Sequence, residues 1–282
     1  MELLQAGKGR LKDKQLFIAI DHGLSFPGMP GLQQPLPLLR TIAQSESVDG
    51  IIASAGIYRQ AEKMHISLEH LTRMITVDYV CVNQVKGAQV LTERTAILDP
   101  EEAASYRPDG FKLFLNIYED DKLLIDNIKD FSRFASAGKR LGIQALAEVL
   151  FYNNTRFSDP KKQAAELLRG CRIAMELGAD ILKIPMIRDH EAIARIIESL
   201  GLPVYILGGS DDHVTFLNEI KSISRLPISG VMVGRNAWQG EDTVSRIREI
   251  SRALLDSGDP AHAPAAQGEE AAFPPSGGIA MG

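Results

Sequence analysis

Eight short apolar runs, spaced along most of the chain and bounded by turn residues, constrain this sequence more than any other feature. They are LFIAIDH (16–22), IIASA (51–55), RMITVDYV (73–80), GFKLFLNIY (110–118), IQALAEVLFY (143–152), ADILKIPMI (179–187), PVYILGG (203–209) and SGVMVG (229–234). Runs of this kind read as strands buried on both faces, the pattern of a parallel sheet. Helical patterns separate the later runs: residues 161–178, 189–201, 212–226 and 242–256. Gly178 and Gly201 stand where a helix C-terminal glycine belongs, and Asp189 stands at an N-cap position. Strand–helix alternation implies right-handed βαβ units. Eight such strands predict an α/β fold, a (β/α)8 TIM barrel formed by one domain over 1–256. A doubly wound open sheet is the runner-up, but no GxGxxG follows the first strand. Residues 56–109 are where the pattern reads least clearly.

Composition narrows the function. Against 31 Lys+Arg stand 36 Asp+Glu, a formal net charge of −5, so the basic footprint of a nucleic-acid binder is missing. No stretch reaches the roughly 18 consecutive apolar residues of a membrane span. The start, MELLQAGKGRLKDK, lacks the apolar core of a secretory signal. Cys81 and Cys171 are far apart and match no zinc spacing, which fits reduced thiols in the cytoplasm. His65 and His70 stand five apart, a spacing that splays them on a helix, so no metal site is expected. The last 26 residues, 257–282, hold seven Ala, five Gly and four Pro with no Lys or Arg. Such a tail cannot build a core and is expected to be disordered.

Active sites of parallel barrels gather at the carboxyl ends of the strands. Side chains of one parity along a strand share a face. In ADILKIP, Lys183 interrupts an apolar run, sharing its face with Ile181 and Pro185. Burial in an apolar, water-poor place would favour a neutral amine able to form a Schiff base. From position alone it reads equally as a lysine that snorkels out or pairs with a carboxylate. Glu148 and Tyr152 share a face of the fifth run and could move protons. Tyr152 could as well be an aromatic plug, and Glu148 a salt-bridge partner for another inward lysine, with Lys112 the candidate. Asp21, on the face of Phe17 and Ala19, could steer Lys183 or a substrate hydroxyl, or simply cap a loop. The last two strands end in LGGS and VGRN. Gly208, Gly209, Ser210, Gly234 and Arg235 supply close backbone approach, a hydroxyl and a guanidinium where barrels bind phosphate.

Together these segments resemble the Schiff-base (class I) aldolases of the deoxyribose-phosphate/tagatose-bisphosphate superfamily, including archaeal-type fructose-bisphosphate aldolases. FIAIDHG, EVLFY, GADILKIP, PVYILGGS and GVMVGRNAWQ carry the resemblance over roughly residues 14–256. It implies that Lys183 is the Schiff-base lysine and Tyr152 a general acid/base. It also implies that Asp21 lies in the site, with His22 beside it in the substrate-binding set. The phosphate loops map onto Gly208–Ser210 and Gly234–Arg235. Archaeal-type members often continue the tyrosine with Pro-Arg-Gly, where this chain has Asn153-Asn154-Thr155. AEVLFY and GFKLFLNI look more like the tagatose-bisphosphate and sulfosugar-phosphate branch, in which Glu148 and Lys112 match site residues.

The implied reaction forms or cleaves a carbon–carbon bond of a phosphorylated ketose, with dihydroxyacetone phosphate as donor or product and no cofactor or metal. The partners expected are small phosphorylated ketoses and aldehydes, and a homo-oligomer is expected by resemblance. One alternative is a synthase resembling aminodideoxyheptulosonate synthase, with aspartate semialdehyde as acceptor. A metal-dependent aldolase would need clustered ligands that the sequence lacks. The last alternative is a non-catalytic phosphosugar-binding regulator, for which Lys183 would be dispensable.

Overall fold

A computed structural model describes residues 14–26, 28–85, 88–117, 121–151, 159–209 and 212–255. Eight parallel strands close into a barrel. In chain order these are β1 (Gln15–Ala19), β2 (Gly50–Ser54), β3 (Thr72–Thr76), β6 (Gly110–Asn116), β7 (Gln144–Leu150), β8 (Ile181–Ile184), β9 (Val204–Leu207) and β10 (Gly230–Val233). Between β3 and β6 lies an antiparallel hairpin of β4 (Asp78–Val85) and β5 (Ala88–Ala96). The helices are α1 (Pro35–Ala43), α2 (Ala55–Lys63), α3 (Pro100–Ser105), α4 (Asp121–Leu141), α5 (Pro160–Glu176), α6 (His190–Leu200), α7 (His213–Ile223), α8 (Arg235–Trp238) and α9 (Thr243–Leu255). Every apolar run named above contributes a barrel strand. The proposed tail lies outside the described residues. Among these residues no helix is long and apolar enough to cross a membrane.

Parity along the strands decides which residues meet. Phe17, Ala19, Ile52, Met74, Leu146, Ile181, Tyr205 and Met232 fill the barrel interior. Leu182, Ile184 and Ile206 point the other way, into the larger core under the helices. Inside, large and small positions interlock: a Cβ on Gly50 would stand 2.2 Å from the Phe17 ring, and one on Gly110 2.3 Å from Met74 Sδ. This apolar floor leaves the upper barrel, toward the strands' carboxyl ends, for polar groups. Helix α6 shows how local chemistry sets boundaries. The Asp189 carboxylate accepts the Ala192 N–H at 2.9 Å, and Gly201 ends the helix at φ +64°, a conformation costly for residues with a Cβ.

The run at 73–80, read above as one strand, is two. β3 ends at Thr76, where its ladder with β6 stops at the Thr76–Lys112 pair, and β4 begins at Asp78. A single residue, Val77, separates the strands. The chain therefore turns away from the barrel without a break in its apolar pattern.

Candidate functional site

The inward positions above the apolar floor hold a chain of alternating charges. Lys183, at the third position of β8, is 5% exposed, so it does not snorkel to solvent. Its Nζ lies 2.9 Å from Glu148 Oε1. Register explains the contact, because Glu148 of β7 is the lateral neighbour of Lys183. The other Glu148 oxygen lies 2.8 Å from Lys112 Nζ, at ion-pair distance. Lys112 donates in turn to Asp21 Oδ2 at 3.2 Å, and the Thr76 hydroxyl donates to that same oxygen at 2.7 Å. The sequence Lys183–Glu148–Lys112–Asp21 thus links strands β8, β7 and β6 to the 3-10 turn Asp21–Leu24 that follows β1. Two cations face two anions, so their formal charges cancel.

Burial opposes charge on Asp21, Glu148 and Lys112, and their partners outweigh it. Desolvation would raise the Asp21 carboxyl, but Lys112, His22, Lys183 and the Thr76 hydroxyl hold it well below the carboxylate range. Desolvation likewise works against ionised Glu148, and Lys112 and Lys183 bring its pKa below normal. Lys112 is pushed above an ordinary lysine because Glu148, Asp21 and Asp78 more than offset its burial. The Lys112 ammonium also stands 3.3 Å above the Phe114 ring centroid, a cation–π contact.

His22 lies on the same turn, its Nδ1 3.6 Å from Asp21 Oδ1 and its ring edge-on to Trp238 at 5.6 Å. Trp238 is fixed by donating its indole N–H to the Ala19 carbonyl at 2.9 Å. Burial pushes the His22 pKa down to about 4, although Asp21 pulls it upward. The unfolded chain, whose histidines titrate near 6.5, then binds a proton that the folded state does not between pH 6.5 and about 4. Stability therefore falls as pH drops through that window. Between pH 7 and 4.5, His22→Gln is expected to lose about 2 kcal/mol less stability than the wild type in urea unfolding. Equal losses would remove His22 from the account.

Gly234, between β10 and α8, abuts this histidine. A Cβ there would stand 2.3 Å from His22 Cε1. Gly234→Ala is expected to cost about 1–3 kcal/mol in urea unfolding as the imidazole is displaced. A variant as stable as wild type would show that the ring is free to move. Arg235 opens α8 directly after this glycine. Gly208 and Gly209 follow β9. A Cβ on Gly208 would lie 3.4 Å from Asn236 Nδ2, and one on Gly209 2.2 Å from Glu219 Oε2. The first places the two glycine loops side by side.

The structure thus brings Asp21, Lys112, Glu148 and Lys183 into one cluster, with His22 against Asp21 and Gly234. Tyr152 and Ser210 lie outside the described residues. Lys183 is buried and paired with a carboxylate, so its surroundings are ionic as well as apolar. Glu148 is also the salt-bridge partner of Lys112. Sequence reasoning missed Thr76, Phe114 and Trp238. Thr76 has the parity of inward-facing Met74, and Phe114 that of Lys112, so parity was the signal available for both. Among the described residues no group of three or more His, Cys, Asp or Glu is arranged to hold a metal ion.

A DeoC/LacD family aldolase model matches residues 91–240. An uncharacterized aldolase of Saccharolobus solfataricus is 25% identical over 88% of this chain and 92% of its own length. A 2-amino-3,7-dideoxy-D-threo-hept-6-ulosonate synthase of Halobacterium salinarum is 26% identical over 88% and 89%. A class 1 fructose-bisphosphate aldolase of Thermoproteus tenax is 24% identical over 85% and 89%. Among solved structures, a Schiff-base-forming fructose-1,6-bisphosphate aldolase superposes with a TM-score of 0.70 at 21% identity, covering 86% of this chain and 94% of that one. That likeness speaks for the barrel.

Proposed function

The chain belongs to the DeoC/LacD aldolase family, and from that premise we propose that it is a class I aldolase acting on a phosphorylated ketose through a Schiff base on Lys183. The observation that carries this reading is a buried lysine inside a parallel barrel, 2.9 Å from a carboxylate that a second lysine holds ionised.

The proposed steps run in this order. Lys183 must lose a proton before it can attack a ketone. Glu148 is the acceptor within reach, and Lys112 stays charged beside it. The amine adds to the carbonyl carbon, the oxygen takes up a proton, and loss of water leaves an iminium. The β-hydroxyl then gives up its proton as the protonated nitrogen draws the electron pair of the bond between the α and β carbons, releasing an aldehyde and leaving an enamine. The same steps run backwards for addition. By resemblance, Tyr152 moves the protons at the carbinolamine and aldehyde oxygens. Asp21 and Lys112 hold substrate hydroxyls and His22 lies with them. Backbone N–H groups at Gly208–Ser210 and Gly234, with Arg235, take the phosphate. Binding that remote group orients the reacting carbons. No metal enters these steps, and chelator treatment is expected to leave the rate unchanged.

The test is borohydride trapping with dihydroxyacetone phosphate, read by intact mass and a peptide map. One reduced triose phosphate on Lys183 is expected. No adduct with this ketone, with ketohexose phosphates or with pyruvate would overturn the reading. Sugar-phosphate binding without trapping would instead favour the regulator. A second reading, a heptulosonate-type synthase, draws support from the relative of that name in Halobacterium salinarum. It predicts that aspartate semialdehyde consumes the enamine faster than glyceraldehyde 3-phosphate does.

A further inference from the structure

The β4–β5 hairpin leaves the barrel at the carboxyl end of β3, beside the cluster. At that point β6 loses its neighbour. The last ladder contact is the Val77 N–H donating to the Lys112 carbonyl at 3.2 Å. Two residues on, the Phe114 N–H faces the same open edge. An unpaired buried N–H would be costly. It donates instead to Asp78 Oδ2 at 2.7 Å, so a side chain takes the place of the missing strand.

That carboxylate is held by Arg94 of β5. Arg94 Nε and one Nη each stand 2.9 Å from Asp78 Oδ2. The other Nη donates to Asp130 of α4 at 2.7 Å. The Asp78 side chain is 0% exposed and that of Arg94 1%. A buried ion pair is weak evidence for stability, because desolvation offsets its attraction. What this pair does provide is direction. It holds the upper edge of β6, and Phe114 there carries the ring face on which the Lys112 ammonium rests.

We propose that Asp78 and Arg94 are positioning residues for the site. They fix β6 so that Phe114 underlies Lys112, and Lys112 in turn holds Glu148 and Asp21. The cluster's role in catalysis rests on the aldolase reading, whereas the positioning itself does not.

The test needs a variant that removes the pair without burying a lone charge. Asp78→Val combined with Arg94→Met does so, and apolar replacements of buried ion pairs commonly keep the fold. The readout is NMR of lysine labelled at Cε, with Lys112 assigned through Lys112→Met. In the wild type the Phe114 ring current is expected to shift the Lys112 ε protons upfield. Phe114→Leu returns them to an ordinary position. The paired variant is expected to move them most of the way, and adding Phe114→Leu to it moves them little further, the non-additivity of one shared path. A folded paired variant with Lys112 in its wild-type position would overturn the proposal. Should that variant fail to fold, wild-type amide exchange decides. Protection of the Phe114 N–H like that of central β6 is expected, and exchange like an exposed loop overturns it. Trapping with dihydroxyacetone phosphate runs in parallel. Its rate is expected to fall roughly tenfold to a hundredfold in the paired variant. If the wild type gives no adduct, the aldolase reading fails and the ring-current result still judges the positioning.

Discussion

Replacing Lys183 by methionine is expected to abolish borohydride trapping and to lower kcat/KM by on the order of 10⁴-fold or more, while the barrel stays folded. The size of the loss follows from covalent catalysis: without the amine there is no iminium, and nothing else in the cluster draws electrons from a carbon–carbon bond. Survival of the fold follows from the order of charges. Glu148 keeps Lys112 at 2.8 Å, and Asp21 keeps both Lys112 and the Thr76 hydroxyl. Every remaining charge still touches an opposite one. Methionine is close to the lysine stem in length and suits the neighbouring Ile181. Circular dichroism melts, trapping and steady-state rates on the same preparation check all three statements. An adduct that moves to Lys112 would make that residue the nucleophile, and full activity in the variant would end the Schiff-base account.

The barrel was legible because its strands are buried on both faces, so each is a continuous apolar run with abrupt ends. Lys112, Glu148 and Lys183 stood out because each breaks such a run, and strand parity put each on the inner face. Parity cannot say which inner residues touch. That depends on the stagger between neighbouring strands, which pairs Glu148 with Lys183 and Thr76 with Lys112. Position therefore left Lys183 balanced between nucleophile and ion-pair partner, and the ion pair with Glu148 is compatible with either role. The hairpin was hidden for a different reason. Val77 alone separates β3 from β4, so the apolar pattern runs on through the turn. In β5, the buried Arg94 side chain reaches a partner 16 residues earlier, a contact that spacing alone does not reveal. Asp21 was expected at a strand end. It lies on the 3-10 turn just beyond one, and still reaches Lys112.

Glu148→Ala should do the greatest damage to stability, because Glu148 is the anion that Lys183 and Lys112 share. Lys112 retains Asp21 at 3.2 Å. Lys183, at 5% exposure, keeps no anion within ion-pair distance among the described residues. Stranding a buried charge in this way costs about 3–5 kcal/mol, which for a chain of this size lowers Tm by roughly 10 °C. The pH dependence separates that cause from lost packing. In the wild type the Glu148 pKa is depressed, so its contribution is present above the usual carboxylate range and is lost as pH falls through the folded value. Wild type and variant therefore converge in acid. The gap between the two proteins is thus expected to be wide at neutrality and narrow at pH 3. Urea unfolding at the two values measures it. Glu148→Gln, which keeps the shape and two polar atoms, should show a smaller gap with the same profile. A deficit that stays constant across pH would assign the loss to the cavity left by the side chain rather than to the charges it joins.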